Sequence, residues 1–297
     1  MDFADFTHQY YLNNPNYKVI DTPQAAEPDL AVIYFSSVGL FSEKNYQTRL
    51  KNDYYEFHRN HVERAGRHIY IRDVALAVYT IGINPQINSI PKVLELLKEL
   101  TAGYRVITLG VSGGGYMAML AGTYLHADYA VSFSGVVHID HVYKYFTALP
   151  DWIDWRPGYE EYYNIVDRIK DGGLDIFQFD AGRCQSDIDN AVLMQPVKGT
   201  RLINVDYPVH AGQVDAPAVG QIINMTKPQL LELFEHFKGR MISKRALNFQ
   251  VLPWKILLSF YSKKLRKNFF KVKLGKKGCL IILCGIPLLN TTGNPEF

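Results

Sequence analysis

The chain has 297 residues, 47% of them hydrophobic and 21% charged, the ordinary balance of a globular protein. Its three cysteines (Cys184, Cys279, Cys284) are too few and too scattered for a disulfide framework or a zinc site. The net charge of +3 conceals a division: from Arg240 onward there are 12 Lys/Arg against one acid, Glu296, whereas residues 1–239 carry 20 against 28. An acidic body, long enough to bury one large core, is followed by a basic, aromatic tail.

Residues 1–27 are polar, punctuated by Asn-Pro and closed by Glu-Pro, and read as an irregular lead-in. The opening MDFADFTHQYYLNNPNYK carries acids and no apolar run, unlike a signal peptide, and with so few cysteines it leads us to expect a cytoplasmic protein. Residues 30–35 (LAVIYF) form a buried-strand run that exits into Ser36-Ser37-Val38-Gly39. Residues 44–65 suit a helix and a surface connection, and 68–74 (HIYIRDV) the next strand. Gly82-Ile83-Asn84-Pro85 breaks the pattern before 91–100 (PKVLELLKEL), a helix with Pro91 at its start. Strand-like runs follow at 104–109, 129–133, 174–179 and 201–205, and a helix at 226–237 opens on Thr226-Lys227-Pro228. Between them, 137–172 is aromatic-rich, with Pro150 and Trp155-Arg156-Pro157-Gly158, and reads as a cap or insertion with short helices. Six strands alternating with helices predict an α/β domain over 28–240, a mainly parallel sheet covered on both faces. No fixed-period repeat points to a solenoid.

The organising stretch is residues 104–122, YRVITLGVSGGGYMAMLAG. Gly110-Val111-Ser112-Gly113-Gly114 fits G-x-S-x-G between a strand and a small-residue helix, the context of a nucleophile elbow. The serine must occupy a strained turn, so its neighbours must let backbone approach backbone, which glycine does without a Cβ penalty. A tightly packed or phosphate-holding turn is the plainer alternative, although no Lys-Ser/Thr pair closes the loop as in a P-loop.

A serine needs a base, and the base an orienting acid, following the serine in the order acid, then histidine. After the elbow come His126, on the elbow helix, His138 and His141, at cap level, His210, just beyond the last strand, and His236, in the final amphipathic helix. His210 is placed to reach the C-terminal edge of the sheet, where catalytic groups gather. For the acid, Asp180, Asp187 and Asp189 compete in the loop after the penultimate strand. Asp187 is preferred because several loop residues bring its carboxylate beneath the imidazole, although Asp187 and Asp189 are also ordinary helix caps. The oxyanion donors expected are the backbone N–H groups of Gly113 and Ser37. Asp73, behind Arg72, reads as part of an internal ion pair, and Cys184 as a loop thiol. No cofactor or metal is expected.

Together these residues resemble an α/β-hydrolase-fold serine enzyme. IYFSSVGLF, HIYIRDVALAVYTIGIN and VITLGVSGGGYMAMLAG in particular resemble bacterial proteins of capsule and O-antigen polysaccharide biosynthesis, over residues 28–240. The resemblance implies an esterase or O-acyltransferase acting on a surface-polysaccharide or glycolipid precursor. This chain has His-Ala-Gly after the last strand where His-Gly is commoner.

The tail, 241–297, interleaves Trp254, Phe260, Tyr261, Phe269 and Phe270 with lysines and arginines over 246–289, a composition suited to an anionic membrane surface. Residues 279–289 are apolar but too short to span a bilayer, which takes about 20 residues. Peripheral attachment at the inner face of the plasma membrane is the expectation, and nucleic-acid binding is not expected. A solvated basic helix is the plainer reading. Two rival functions stand beside the enzyme: a non-catalytic glycan-binding or scaffold protein on the same fold, and a membrane-surface lipase.

Overall fold

The structure is a computed structural model that describes residues 2–40, 45–140 and 160–273, with side chains to residue 263. It divides into a body, residues 1–253, and a second unit from residue 254. Among the described residues, the body holds one eight-stranded sheet in the order β1-β3-β2-β4-β5-β6-β7-β8. The strands are β1 (Tyr17–Asp21), β2 (Glu27–Phe35), β3 (Ala65–Ile71), β4 (Arg105–Val111), β5 (Tyr129–Phe133), β6 (Ile176–Ala181), β7 (Thr200–Val205) and β8 (Met241–Ile242). All neighbours run parallel except β1 and β3.

The apolar runs become strands because both faces of a parallel sheet are covered. Every residue of β5 and β6 is buried, as is β2 from Leu30 onward. Helix α3 (Ile90–Leu100) buries Ile90, Val93, Leu94 and Leu97, one face at helical spacing, and Ser89 caps its first turn by accepting from the Lys92 N–H. Helix α4 (Gly113–Tyr124) is different: its first ten residues are all buried, so it is a core helix of small side chains.

The six runs expected as strands are strands, and two more extend the sheet. The lead-in expected to be irregular carries a helix, α1 (Phe3–Asn13), and the edge strand β1. β1 is half-buried and gave no apolar run to read; it is held antiparallel to β3 and by the Asp21–Arg67 ion pair at 2.7 Å. At the other end, β8 pairs with β7, and helix α9 (Lys244–Val251) buries Leu247 and Asn248. The folded body therefore continues past residue 240, through a stretch whose lysines resemble the tail. The expected pairing of Arg72 with Asp73 is not what forms. Arg72, 2% exposed, pairs with Asp53 at 3.1 Å and lies over the Tyr55 ring, while Asp73 turns inward and accepts the Tyr79 N–H. The proposed cap at 137–172 lies largely outside the described residues. Its described end makes a bridge from Asn164 to His138 and a short helix, Val166–Lys170.

The register brings Phe35, Gly110 and Ser132 side by side at the C-terminal edge, where β4 turns into α4. A Cβ on Gly110 would lie 2.0 Å from the Gly114 carbonyl oxygen, and one on Gly114 would lie 2.3 Å from that of Phe35. Both obstacles are backbone and cannot rotate away. We expect Gly110→Ala to lower stability by about 1–3 kcal/mol or to prevent folding, whereas Gly39→Ala, with nothing within 4 Å of its Cβ, leaves the melting temperature unchanged. Equal melting temperatures for the two variants would refute this account of the turn.

Candidate active site

Ser112 stands between β4 and α4 with φ 54° and ψ −119°, a conformation costly for a residue with a side chain. Hydrogen bonds hold it there: its N–H donates to the Phe133 carbonyl at 2.9 Å, and its carbonyl accepts from the Tyr116 N–H at 3.1 Å. The next helix begins at Gly113, so the first N–H groups of α4, which have no partner within the helix, lie beside the serine.

The structure brings His210 to Ser112. Nε2 lies 2.7 Å from Ser112 Oγ, and Nδ1 lies 2.5 Å from Asp187 Oδ1. A carboxylate oxygen only accepts, so Nδ1 carries the proton toward Asp187 and Nε2 is left to accept from the serine hydroxyl. The Asp187 side chain is fully buried, that of His210 is 11% exposed and Ser112 is buried, so the hydrogen-bonded chain is shielded from water.

Of the three aspartates, Asp187 is the one at the imidazole. It sits in the first turn of helix α6 (Gln185–Met194), and its second oxygen accepts from the Ala181 N–H at 2.8 Å and the Ser134 hydroxyl at 2.5 Å. Asp180 is buried against Gln178, whose amide donates to it at 2.9 Å. Burial, and then the proximity of Asp187, push the Asp180 carboxyl well above the usual carboxylate range. Asp189 accepts from the Gln185 side chain at 2.7 Å along the helix surface. Among the other histidines, His126 and His236 are exposed and His138 is half-buried beside Asp140, while His141 lies outside the described residues.

Four participants escaped the sequence reading. Ser134, at the end of β5 with φ 49°, donates to Asp187 and accepts the Ala211 N–H at 3.1 Å, tying the acid to the histidine loop. The only hint was Ser134-Gly135, which ends the fourth of the six expected strand runs. Gln213 and Lys244 anchor the same loop, through the Phe179 carbonyl at 2.6 Å and the Gly212 carbonyl at 2.8 Å. Ala211 takes φ 55°, a conformation that glycine adopts without a Cβ penalty. The fourth is Glu56, whose carboxylate accepts the Ser37 N–H at 2.6 Å. Ser37, expected as an oxyanion donor, therefore points its N–H at a carboxylate in this structure. Gly113, the other expected donor, lies against the same loop: a Cβ on it would meet Val38 Cγ2 at 2.8 Å.

Cys184 is also nearer than a plain loop thiol, for its sulfur and the ligating atoms of Asp187 and His210 lie within 4.8 Å of one another. Such a trio could hold a soft metal ion, but Asp187 is already committed to His210, Ser134 and Ala181.

A mainly parallel sheet, a strained serine between strand and helix, and the chain order serine, aspartate, histidine together define the α/β-hydrolase fold. No protein-family model matches the chain, and no curated protein matches its sequence. Solved structures resemble it at low identity. The esterase domain of a Rhodothermus marinus protein is 11% identical, with a TM-score of 0.47 over 70% of this chain and 96% of its own. The capsule O-acetyltransferase of Neisseria meningitidis serogroup A is 12% identical, with a TM-score of 0.43 over 65% and 84%. MenH from Staphylococcus aureus is 10% identical, with a TM-score of 0.44 over 75% and 100%.

Because Asp187 and Ala211 share the Ser134 hydroxyl, Ser134→Ala takes one of two donors from a buried carboxylate oxygen and the acceptor from the Ala211 N–H. We expect a loss of about 1–3 kcal/mol, seen as a fall of several degrees in melting temperature. An unchanged melt would show that the hydroxyl is dispensable.

Proposed function

We propose that this protein is a serine-dependent acyl-transfer enzyme, an esterase or O-acyltransferase. The observation that carries the reading is the continuous hydrogen-bonded chain Ser112–His210–Asp187, with the serine in a strained conformation at a helix N-terminus. Ser112 Oγ attacks the acyl carbon of an ester or activated acyl donor while its proton passes to His210 Nε2. Asp187 holds the imidazole in the tautomer that can accept this proton and stabilises the imidazolium that results. The carbonyl oxygen becomes an oxyanion held by backbone N–H groups, for which we assign Gly113 and Ser37. His210 then returns its proton to the leaving oxygen, and the acyl-serine passes its group to water or to a hydroxyl acceptor.

For substrate we propose a surface-polysaccharide or glycolipid precursor. Support comes from the likeness of the FSS, RD and G-x-S-x-G-G segments to polysaccharide-biosynthesis proteins, and from the mixed aromatic and acidic composition of 137–165, which suits a sugar better than a long acyl chain. The test is labelling with a fluorophosphonate probe, the modified residue being located by mass spectrometry. Ser112 takes the label, Ser112→Ala abolishes it, and His210→Ala slows it at least ~10³-fold. Well-folded protein that leaves Ser112 unlabelled overturns the enzyme and favours a glycan-binding scaffold on this fold.

We further propose that the C-terminal unit attaches the protein peripherally to an anionic membrane. Helix α10 (Trp254–Lys273) exposes Trp254 and Leu258, one turn apart, and carries Lys255 and Lys263 beside residues 264–273, which add five more cationic residues. No helix among the described residues is long and apolar enough to cross a membrane. The full-length protein should sediment with phosphatidylserine vesicles at low salt, and deletion of residues 254–297 should abolish this while the body stays folded. Equal sedimentation of both proteins would remove the tail from the account.

A further inference from the structure

The loop that leaves β2 ends on an acid. Ser37 donates its N–H to Glu56 Oε2 at 2.6 Å, and its hydroxyl lies 3.5 Å from Oε1. That loop is packed onto the serine turn, since Val38 abuts Gly113 and the Phe35 carbonyl abuts Gly114. Any oxyanion that is to use the Ser37 N–H must therefore take it from a carboxylate already bound there. Glu56 reaches the loop from the stretch after helix α2 (Tyr46–Lys51). Burial raises its carboxyl above the usual range, while the two Ser37 donors and the Arg49 charge pull it down; Tyr79 faces it from the loop after β3.

We propose that Glu56 is a positioning residue of the acyl-transfer site, occupying the oxyanion donor at Ser37 and yielding it as the tetrahedral intermediate forms. The proposal rests on Ser112 being the nucleophile. In the step concerned, the Oγ–C bond forms, the carbonyl π pair moves onto oxygen, and the hydroxyl proton goes to His210. The Ser37 N–H changes acceptor from Glu56 to the new oxyanion, and no covalent bond to Glu56 forms or breaks. A charge-assisted hydrogen bond is roughly twice as strong as a neutral one, so the exchange opposes acylation until it is complete. Removing the charge should therefore speed the step, the reverse of what loss of a structural residue does.

The test uses the full-length protein, with the labelling rate of Ser112 by a fluorophosphonate and the steady-state hydrolysis of p-nitrophenyl acetate as readouts. Glu56→Gln, isosteric and neutral, should label about tenfold faster than the unaltered protein, and Glu56→Ala at least as fast. For the ester, kcat should rise with KM changed less than about twofold, because the donor is engaged in the transition state and not in the ground state. Melting curves confirm folding; if neither variant folds, Glu56→Asp, which withdraws the carboxylate by one methylene, is read the same way. Labelling that is unchanged or slower in folded variants, with the unaltered protein labelled at Ser112, overturns the role of Glu56 alone. Absence of label at Ser112 in every protein, the unaltered one included, overturns the nucleophile and this inference with it.

Discussion

A carboxylate sealed away from water must be compensated on nearly every lone pair or give up its charge, and the layout of the candidate site follows from how Asp187 meets that demand. Its donors come from three different places: the Ser134 hydroxyl at the end of β5, the Ala181 N–H at the end of β6, and the His210 ring beyond β7. One side chain thus ties together the C-terminal ends of three neighbouring strands and the loop that carries the base. Loss of any one donor leaves the others misplaced, because each is held in turn by its neighbour: Ser134 also accepts from Ala211, and Gln213 fastens the same loop to the Phe179 carbonyl. The imidazole is held from beneath, through its acid, and from the side, through its own backbone.

On the opposite flank the compensation is less complete. Leu76, Val78 and Tyr79 all have positive φ, near 60°, 52° and 62°, which is costly for bulky residues and most so for a β-branched one. Asp73 holds this loop, its carboxylate accepting the Tyr79 N–H at 3.1 Å with the N–H groups of Ala77, Val78 and Leu76 turned toward it. The strained loop reaches the serine turn, since a Cβ on Gly113 would lie 3.5 Å from Val78 Cγ1. Backbone strain at Ser112 and backbone strain beside it are therefore supported by two buried acids, one on each side.

Much of this was legible in the sequence because it depends on local necessity. The elbow is written in glycines that no other residue can replace, the strands in unbroken apolar runs, and the helix starts in Pro91 and Thr226. Asp187 and His210 could be chosen from the order in which the loops return to one edge of the sheet. Illegible were the elements whose reason for existing is tertiary. β1 is half-buried and polar, and only β3 makes it a strand; β8 is two residues long. Ser134 and Glu56 are ordinary in sequence and acquire their roles from partners 53 and 19 residues away. The Arg72–Asp73 pair shows the opposite error: adjacency suggested a mutual ion pair, but consecutive residues leaving a strand point to opposite faces, so each found its own partner.

The acids around the serine also obey one electrostatic rule. Burial lifts Asp73 from 3.8 to about 6, Asp180 well above the usual range, and Glu56 upward. An acid raised in this way binds its proton more tightly in the folded chain than in the unfolded one. It therefore favours the fold at low pH and withdraws stability as pH rises from the ordinary value toward the raised one, a window of about two units for Asp73. Such acids weaken the body, yet in the mechanism we propose they suit the chemistry. Attack by Ser112 creates negative charge at a site with low dielectric, where a nearby fixed carboxylate would oppose it strongly. Acids whose charge is disfavoured by burial oppose it less than ordinary carboxylates would. Asp187, whose oxygens are filled by donors, faces the imidazolium created in the same step, so its charge is answered as the oxyanion appears. Glu56 is the exception in placement, since it lies on the N–H that the oxyanion would use. Of the buried acids it is therefore the one whose charge should register directly in the rate of acylation.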